Sequence, residues 1–217
     1  AALFGILLLL AFVFTAPLGY EQHYGFYRYD YLLFYALIIQ CCLLYLKLES
    51  WAEARVIALF HIMAMGMEIF LTHPAIASWQ YPQPAIFKLW TVPLFAGFMY
   101  SAVGSFFARS LRLYTVSFKA LPKFSHMLTL AVLSYLNFMS KFFIPDIRYV
   151  LFGWSIVMFW KTKIRFELQH HTIQLPMLPI LWVLAFIIWL AENVSTFYKI
   201  WLYPSQVDAW HMVGWGK

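Results

Sequence analysis

The chain has 217 residues, of which 64% are hydrophobic and 11% charged, with a net charge of +6 at pH 7. A soluble domain is about 45–50% apolar and about 25% charged, so this composition excludes the soluble class and predicts an integral membrane protein. The positive charge comes without a Lys/Arg-rich run or a phosphate-binding glycine loop, and we therefore expect a lipid bilayer rather than nucleic acid as the partner.

Seven apolar runs follow one another along the chain. They lie at residues 1–18, 31–47, 54–72, 86–108, 126–144, 147–161 and 177–198. A helix needs about 20 residues to cross the hydrocarbon of a bilayer, and most of these runs approach that length. The predicted fold is an all-α, polytopic transmembrane helix bundle forming a single membrane domain over residues 1–217. Seven helices are visible, and an eighth is expected to begin near Trp210 and to be cut off by the end of the chain.

The basic residues are distributed unevenly between the connections. Connections 47–55 and 109–125, together with the one after the sixth run, carry nine of the fifteen Lys and Arg residues, whereas the opposite connections carry five. Basic residues are enriched in the cytoplasmic loops of membrane proteins. The bias predicts that the N-terminus is cytoplasmic.

Two stretches repeat the same order of residues. MEIFLTHPAIASWQYPQP contains Glu68 and Thr72 before a Trp-x-Tyr-Pro string, and AENVSTFYKIWLYPSQ contains Glu192 and Thr196 before a second one. In each copy the threonine follows the glutamate by four residues, which is one helical turn on the same face. The two glutamates are 124 positions apart, and the same shift places the first apolar run on the fifth.

This repetition predicts that the chain consists of two four-helix halves. Residues 1–108 would form the first repeat and residues 126–217 the second, which is incomplete at its C-terminal end. An even number of helices in each half gives parallel repeats related by an axis along the membrane normal.

Glu68 and Glu192 are the candidate catalytic residues. An ionised carboxylate at the bilayer centre costs about 2.5–3.5 kcal/mol, so a buried acid pairs, faces water or stays protonated. A protonated acid can act in general acid catalysis or in a proton relay. We expect both carboxyl groups to face one shared interior cavity. The alternative is that they only hydrogen-bond neighbouring helices and fix their packing.

The candidate ligand-binding residues accompany these two acids. They are His61, Thr72, Trp79, Tyr81, Asn193, Thr196, Trp201 and Tyr203. Trp and Tyr near the end of a span are usually interface anchors, and that interpretation stays open for the four aromatic residues. No metal site is predicted, because Cys41 and Cys42 are adjacent within an apolar run and suit small packing residues.

Three strings carry a resemblance to a known family. MEIFLTHPAIASWQYPQPAIFKLWTVPLFAGFMYSAVGSF, IPDIRYVLF and AENVSTFYKIWLYPSQ with the later WHMV resemble a bacterial integral-membrane family, domain of unknown function 817. The resemblance spans nearly the whole chain. It implies a location in the bacterial cytoplasmic (inner) membrane and implies no particular activity.

A second likeness concerns the first copy of the repeated stretch. Its acid, its Trp-x-Tyr string and the following Val92-Pro93-Leu94 are similar in order to the membrane carotenoid cyclases and hydratases. The glycine-rich TGxPFG stretch of those enzymes reads THPAIAS here, and their Pro-x-Glu-Glu pattern is absent. The likeness implies buried acids that act on the ends of isoprenoid chains.

Three classes of function follow as expectations. The first is a two-glutamate, aromatic-lined site for a polyene, an isoprenoid or another apolar ligand, with acid catalysis on its double bonds. The second is a non-catalytic accessory subunit of a larger photosynthetic or respiratory membrane complex. The third is a transporter, which the duplication would suit. No cofactor is predicted beyond a bound carotenoid, quinone or lipid, and other membrane subunits are the candidate partners.

Overall fold

The computed structural model of the protein describes residues 2–113, 115–168 and 171–214, and it is mostly helical. Seven α-helices occur within these residues, as many as the predicted apolar runs. They are α1 Leu3–Phe14, α2 Arg28–Tyr45, α3 Trp51–Leu71, α4 Ala96–Leu113, α5 Phe124–Ser140, α6 Arg148–Phe159 and α7 Met177–Phe197. Two short 3-10 helices lie at Ala16–Leu18 and Pro204–Gln206.

The described residues also form five strands in two small antiparallel sheets. The strands are β1 Lys88–Leu89, β2 Val92–Pro93, β3 Thr115–Lys119, β4 Lys163–Leu168 and β5 His171–Pro176. The prediction of an all-α chain is therefore incomplete, although its helical part is confirmed.

The smaller sheet changes the start of the fourth helix. Lys88 pairs with Pro93 and Leu89 with Val92, and Trp90 turns the chain between them with a φ of 53°. Pro93 disfavours a helical conformation at Val92 because its ring clashes with the preceding residue. The helix predicted from residue 86 consequently begins at Ala96.

The larger sheet arises from connections that the sequence analysis treated as loops. Strand β4 lies in the centre, with β3 and β5 on either side, and both pairs are antiparallel. Polar and apolar residues alternate along β3, which reads TVSFK, and along β4, which reads KIRFEL. Alternation of period two is the pattern of a strand with two unlike faces, and it was the available sequence signal for this sheet.

Two of the described helices are long enough and apolar enough to cross a membrane. By length and composition these are α3 and α7, with 21 residues each. In the most apolar 18-residue stretch of α3, 28% of the residues are buried within the chain. In the corresponding stretch of α7, only 6% are buried. Most of the apolar surface of α7 is thus exposed rather than packed within the chain.

The chain divides into two compact units. The first comprises Ala1–Arg112 and Trp189–Lys217, and the second comprises Leu113–Ile188. The boundaries of the two sequence repeats stay a prediction. The eighth helix does not begin within residues 207–214, and residues 215–217 lie outside the described part of the chain.

The core of the first unit forms where α1 and α2 pack together. Its buried side chains include Phe4, Leu8, Phe12, Leu32, Ala36, Phe95 and Ile200. Buried Arg28 donates hydrogen bonds to the carbonyl oxygens of Phe12 at 2.6 Å and Tyr198 at 2.8 Å. The carbonyl oxygen of Phe12 lies in the last turn of α1, where no further helical N–H can reach it. Arg28 therefore joins the end of α1 to the segment that follows α7.

Asp30, in the first turn of α2, organises the chain before the smaller sheet. Its carboxylate is fully buried and accepts hydrogen bonds from the N–H groups of Tyr27 at 2.9 Å, Ile86 at 3.0 Å and Phe87 at 2.9 Å. The bond from Tyr27 caps α2, and the other two fix the segment that leads from the first Trp-x-Tyr-Pro string to β1. A single carboxylate thus positions the segment that follows the first Trp-x-Tyr-Pro string.

Candidate functional site

The two Trp-x-Tyr-Pro strings lie side by side within the first unit. Gln80 donates its N–H to the carbonyl oxygen of Leu202 at 2.9 Å, and Leu202 donates to that of Gln80 at 2.9 Å. Each of these residues is the second of its string, and the pairing is antiparallel. Equivalent positions of the two strings are therefore related by a local two-fold axis, which is the arrangement that a duplicated pair would give.

Glu68 is enclosed by hydrogen-bond donors. Its side chain is 1% exposed, near the end of α3. Oε2 accepts from Trp79 Nε1 at 2.8 Å and from the Tyr81 hydroxyl at 2.9 Å, and Oε1 accepts from the Tyr100 hydroxyl at 2.7 Å. The indole N–H can only donate, so at least this bond requires an acceptor at Oε2. Glu68 is thus the centre of a closed cluster and has little contact with solvent or lipid.

Glu192, like Glu68, has a tyrosine as hydrogen-bond partner, but its side chain is less buried than that of Glu68. The Tyr203 hydroxyl donates to its Oε1, which repeats the pair of Tyr81 and Glu68 in the second copy. The side chain of Glu192 is only half-buried. The ring of Tyr203 also meets that of Trp79 edge to face, with 6.4 Å between centroids. The two acid–tyrosine pairs therefore meet through Trp79 and Tyr203.

The phenols of both strings stay protonated at physiological pH. Burial raises the pKa of Tyr81 well above its ordinary value, and the nearby Glu68 carboxylate adds to the rise. Burial likewise raises the pKa of Tyr203, followed by the effect of Glu192, and Glu68 contributes as well. Both acids therefore raise the pKa of Tyr203, Glu192 more than Glu68.

Three of the predicted ligand-binding side chains form hydrogen bonds with other parts of the chain and do not line an open surface. Thr72 donates to the Glu68 carbonyl oxygen and lies 2.7 Å from the Thr91 hydroxyl. Thr196 accepts from Trp210 Nε1 at 3.1 Å, and Asn193 accepts from the Val213 N–H at 2.9 Å. The latter two side chains fix residues 210–213 against the end of α7. Trp201 packs against the core of α1 and α2.

His61 lies two turns before Glu68 on α3 and packs on the start of α4. Its ring is 4.6 Å from that of Phe98 between centroids, and its buried Nδ1 has no hydrogen-bond partner. A Cβ added at Gly97 would come within 2.5 Å of the imidazole, so the ring occupies space that only glycine leaves open. The structure does not bring His61 into hydrogen-bond contact with the carboxylate of Glu68.

The Gly97→Ala substitution tests this contact. The added methyl group must displace the imidazole, and overpacking of this kind costs about 1–3 kcal/mol. We expect a lower thermal unfolding midpoint of the purified protein in detergent. Gly66→Ala on α3 is the matched control, because a Cβ there meets nothing within 4 Å. That control should be neutral or stabilising by about 0.5–1 kcal/mol. Equal midpoints for the two variants would contradict the packing described for His61.

Tyr100 and Asp30 were not predicted as site residues. Tyr100 lies on α4, and no spacing relates it to the repeated stretches. A second buried polar cluster, around Glu49, was also missed. Glu49 accepts from Gln40 Nε2 at 2.6 Å and from the Ser105 hydroxyl.

Within the part of the chain that the structure describes, no group of three or more His, Cys, Asp or Glu side chains could hold a metal ion.

Comparison with known proteins identifies the family. A family model described as a protein of unknown function (DUF817) matches residues 1–217. The uncharacterized protein YoaT of Bacillus subtilis (strain 168) is 37% identical over 190 residues, which cover 88% of this chain and 71% of that protein. No solved structure matches the chain. The resemblance drawn from the three strings is thereby confirmed, and the chain belongs to the DUF817 family.

Proposed function

We propose that this chain is a multi-pass membrane protein that binds an apolar isoprenoid-type ligand, such as a carotenoid or a quinone. In this proposal Glu192 meets the ligand and Glu68 holds the site together. The observation that carries the proposal is the unequal enclosure of two otherwise similar acid–tyrosine pairs. Glu68 is 1% exposed with three donors, whereas Glu192 is half-buried beside Tyr203.

The hydrogen bonds of Glu68 suit a fixed structural anchor. Three donors surround its two oxygens, and the side chain is only 1% exposed, so a ligand has no open approach to the carboxylate. Breaking a buried hydrogen bond to a charged group costs about 1.5–3 kcal/mol or more. A ligand would gain little from displacing one of these donors. We therefore assign Glu68 to positioning Trp79, Tyr81 and Tyr100.

Glu192 has the features of the reacting or ligand-contacting group. Its carboxyl group is partly accessible and accepts a hydrogen bond from Tyr203, whose ring in turn meets the indole of Trp79. In its protonated form Glu192 could transfer a proton to one carbon of a double bond, leaving a cation on the other carbon. The aromatic faces would stabilise this cation by about 2 kcal/mol when water is excluded. The cation would then lose a different proton or take up water.

The proposed location is supported by the distribution of charge and apolar surface. The lengths of α3 and α7 suit membrane spans, and the remaining apolar helices would cross with them. The excess of basic residues in alternate connections supports a cytoplasmic N-terminus in the inner membrane of a bacterium. The two acids would then lie in the outer part of the bilayer.

The experiment is to identify what the purified protein carries. The full chain is expressed in its bacterial host, purified in a mild detergent and extracted with organic solvent, and the extract is analysed by absorption spectroscopy and mass spectrometry. We expect a polyene or quinone in near-stoichiometric amount from the parent and a severalfold smaller amount from Glu192→Gln. Glu167→Gln, which changes an exposed acid on β4, is the matched control and should retain the ligand.

Two outcomes would overturn the proposal. One is an extract with no isoprenoid above the level of the control membranes. The other is equal occupancy in the parent and in Glu192→Gln. If the bound molecule is converted by the protein, loss of the acid should slow the conversion by about a hundredfold or more, as expected for general acid catalysis.

A second candidate function is a non-catalytic subunit of a larger membrane complex. The exposure of α7 favours this candidate, because only 6% of the most apolar stretch of that helix is buried within the chain. Co-purification of a defined set of membrane proteins, without an isoprenoid in the extract, would support this candidate over the first.

A further inference from the structure

The three-stranded sheet of the second unit has one apolar face and one polar face. The register pairs Val116 with Phe166 and Phe166 with Ile173, and it pairs Phe118 with Ile164 and Ile164 with Leu175. Residues that pair directly across strands lie on the same face of a sheet. All six apolar side chains therefore share one face.

The apolar face is open at both edges of the sheet. Phe118 on β3 is 46% exposed, and Ile173 and Leu175 on β5 are 44% and 42% exposed, whereas Ile164 on the central strand is 8% exposed. The chain itself thus covers the middle of the face and leaves the edges bare. At about 25 cal/mol per Å² of apolar surface, leaving these side chains in water is unfavourable.

The opposite face carries a basic charge. The register places Lys119 beside Lys163 and Ser117 beside Arg165, with Thr115 beside Glu167. The three basic side chains and the one acidic side chain are all exposed. Lys123 and Lys161 add two further exposed positive charges where the strands meet the helices.

One end of the sheet is fixed to the ends of three helices, α5, α6 and α7. Buried Thr162 follows α6 and donates from its hydroxyl to the carbonyl oxygen of Ala120 at 3.0 Å, close to the start of α5. Its carbonyl oxygen accepts from the N–H of Met177, the first residue of α7, at 3.0 Å. Where these helices span the bilayer, the sheet must begin at the membrane surface.

We propose that this sheet lies flat on an anionic phospholipid surface, with its apolar face in the acyl boundary and its basic face among the headgroups. The exposed edges of the apolar face would then leave water, while Lys119, Lys163 and Arg165 would neutralise lipid phosphates. The edge strands β3 and β5 keep backbone groups that need partners, and water at the interface can supply them, as hydrocarbon cannot. A basic cluster next to a span is typical of attraction to anionic lipid. This inference is independent of the ligand proposed above.

Adjacent residues on the two faces allow a direct test in the full-length protein. With Cys41→Ser and Cys42→Ser as background, a nitroxide is attached in separate proteins at Phe118→Cys and at Ser117→Cys. The proteins are reconstituted in vesicles of phosphatidylcholine, with or without phosphatidylglycerol. Collision with oxygen, which concentrates in lipid, is compared with collision with a water-soluble nickel chelate. The pair Ile173→Cys and Gln174→Cys repeats the test on β5 in case a β3 variant does not fold.

We expect the labels at 118 and 173 to favour oxygen severalfold over the nickel chelate, and the labels at 117 and 174 to show the reverse. Phosphatidylglycerol should increase the contrast. The triple variant Lys119→Gln, Lys163→Gln and Arg165→Gln should remove this increase. Nickel access at 118 and 173 equal to that at 117 and 174 would overturn the proposal, because the sheet would stand in water. Shielding from both reagents would overturn it in favour of a protein partner, and an unchanged contrast with phosphatidylglycerol would overturn the role of anionic lipid.

Discussion

Glu68→Leu should lower the stability of the protein by several kcal/mol, whereas Glu68→Gln should remain close to the parent. Leucine leaves Trp79 Nε1 and the hydroxyls of Tyr81 and Tyr100 without their acceptor. Each buried donor left unsatisfied costs about 1–3 kcal/mol. Glutamine can place its carbonyl oxygen where Oε2 accepts from Trp79 and Tyr81, and its NH₂ group can donate to the oxygen of Tyr100.

Thermal unfolding in detergent, followed by circular dichroism, measures this difference. Comparing the two Glu68 variants with each other separates the loss of an acceptor from the loss of charge. A leucine variant that unfolds at the temperature of the parent would show that the three donors find other partners. A glutamine variant as unstable as the leucine variant would show that the charge, rather than the shape of the acceptor, holds the cluster.

Asp30→Ala should lower the stability of the protein by a similar amount. Alanine removes the acceptor of three backbone N–H groups, those of Tyr27, Ile86 and Phe87. The loss combines a helix cap, worth about 1 kcal/mol, with two buried donors worth about 1–3 kcal/mol each. Asp30→Asn keeps one carbonyl oxygen and should lose less than half as much.

Proteolysis gives a local readout for Asp30 besides the melting temperature. The segment 82–87 should become cleavable in the alanine variant at temperatures where the parent resists. Resistance equal to that of the parent, together with an unchanged midpoint, would mean that Asp30 does not hold the segment.

The sequence predicted the helices better than the connections, for a physical reason. Long apolar runs carry a strong signal, whereas TVSFK and HTIQLP are too short and too polar to stand out among loops. The strand that pairs with TVSFK also lies about 50 residues away along the chain. The start of α4 was misplaced because the apolar run that begins at residue 86 includes both the hairpin of β1 and β2 and the helix that follows it. The three-stranded sheet could have been suspected from the alternation alone, but its pairing could not.

The candidate site shows the same limit. The repetition of Glu68 and Glu192 drew attention to two residues that have equivalent tyrosine partners, because a short motif fixes local contacts. The involvement of Tyr100 and the closure of Thr196 by Trp210 depend on how distant segments pack. The repeated motif also suggested two acids in equivalent surroundings. The different burial of Glu68 and Glu192 arises from neighbouring residues that the two copies of the motif do not share.

The pairing of Gln80 with Leu202 has a consequence for biosynthesis. Trp79, Tyr81 and Tyr100 leave the ribosome soon after Glu68, so its cluster can close early. Leu202 follows about 120 residues later, which at about 5–20 residues per second is a delay of roughly 6–25 s. Until then the first string has no strand partner, and Arg28 lacks the carbonyl oxygen of Tyr198. The nascent protein must therefore keep a half-finished first unit while the whole second unit is synthesised.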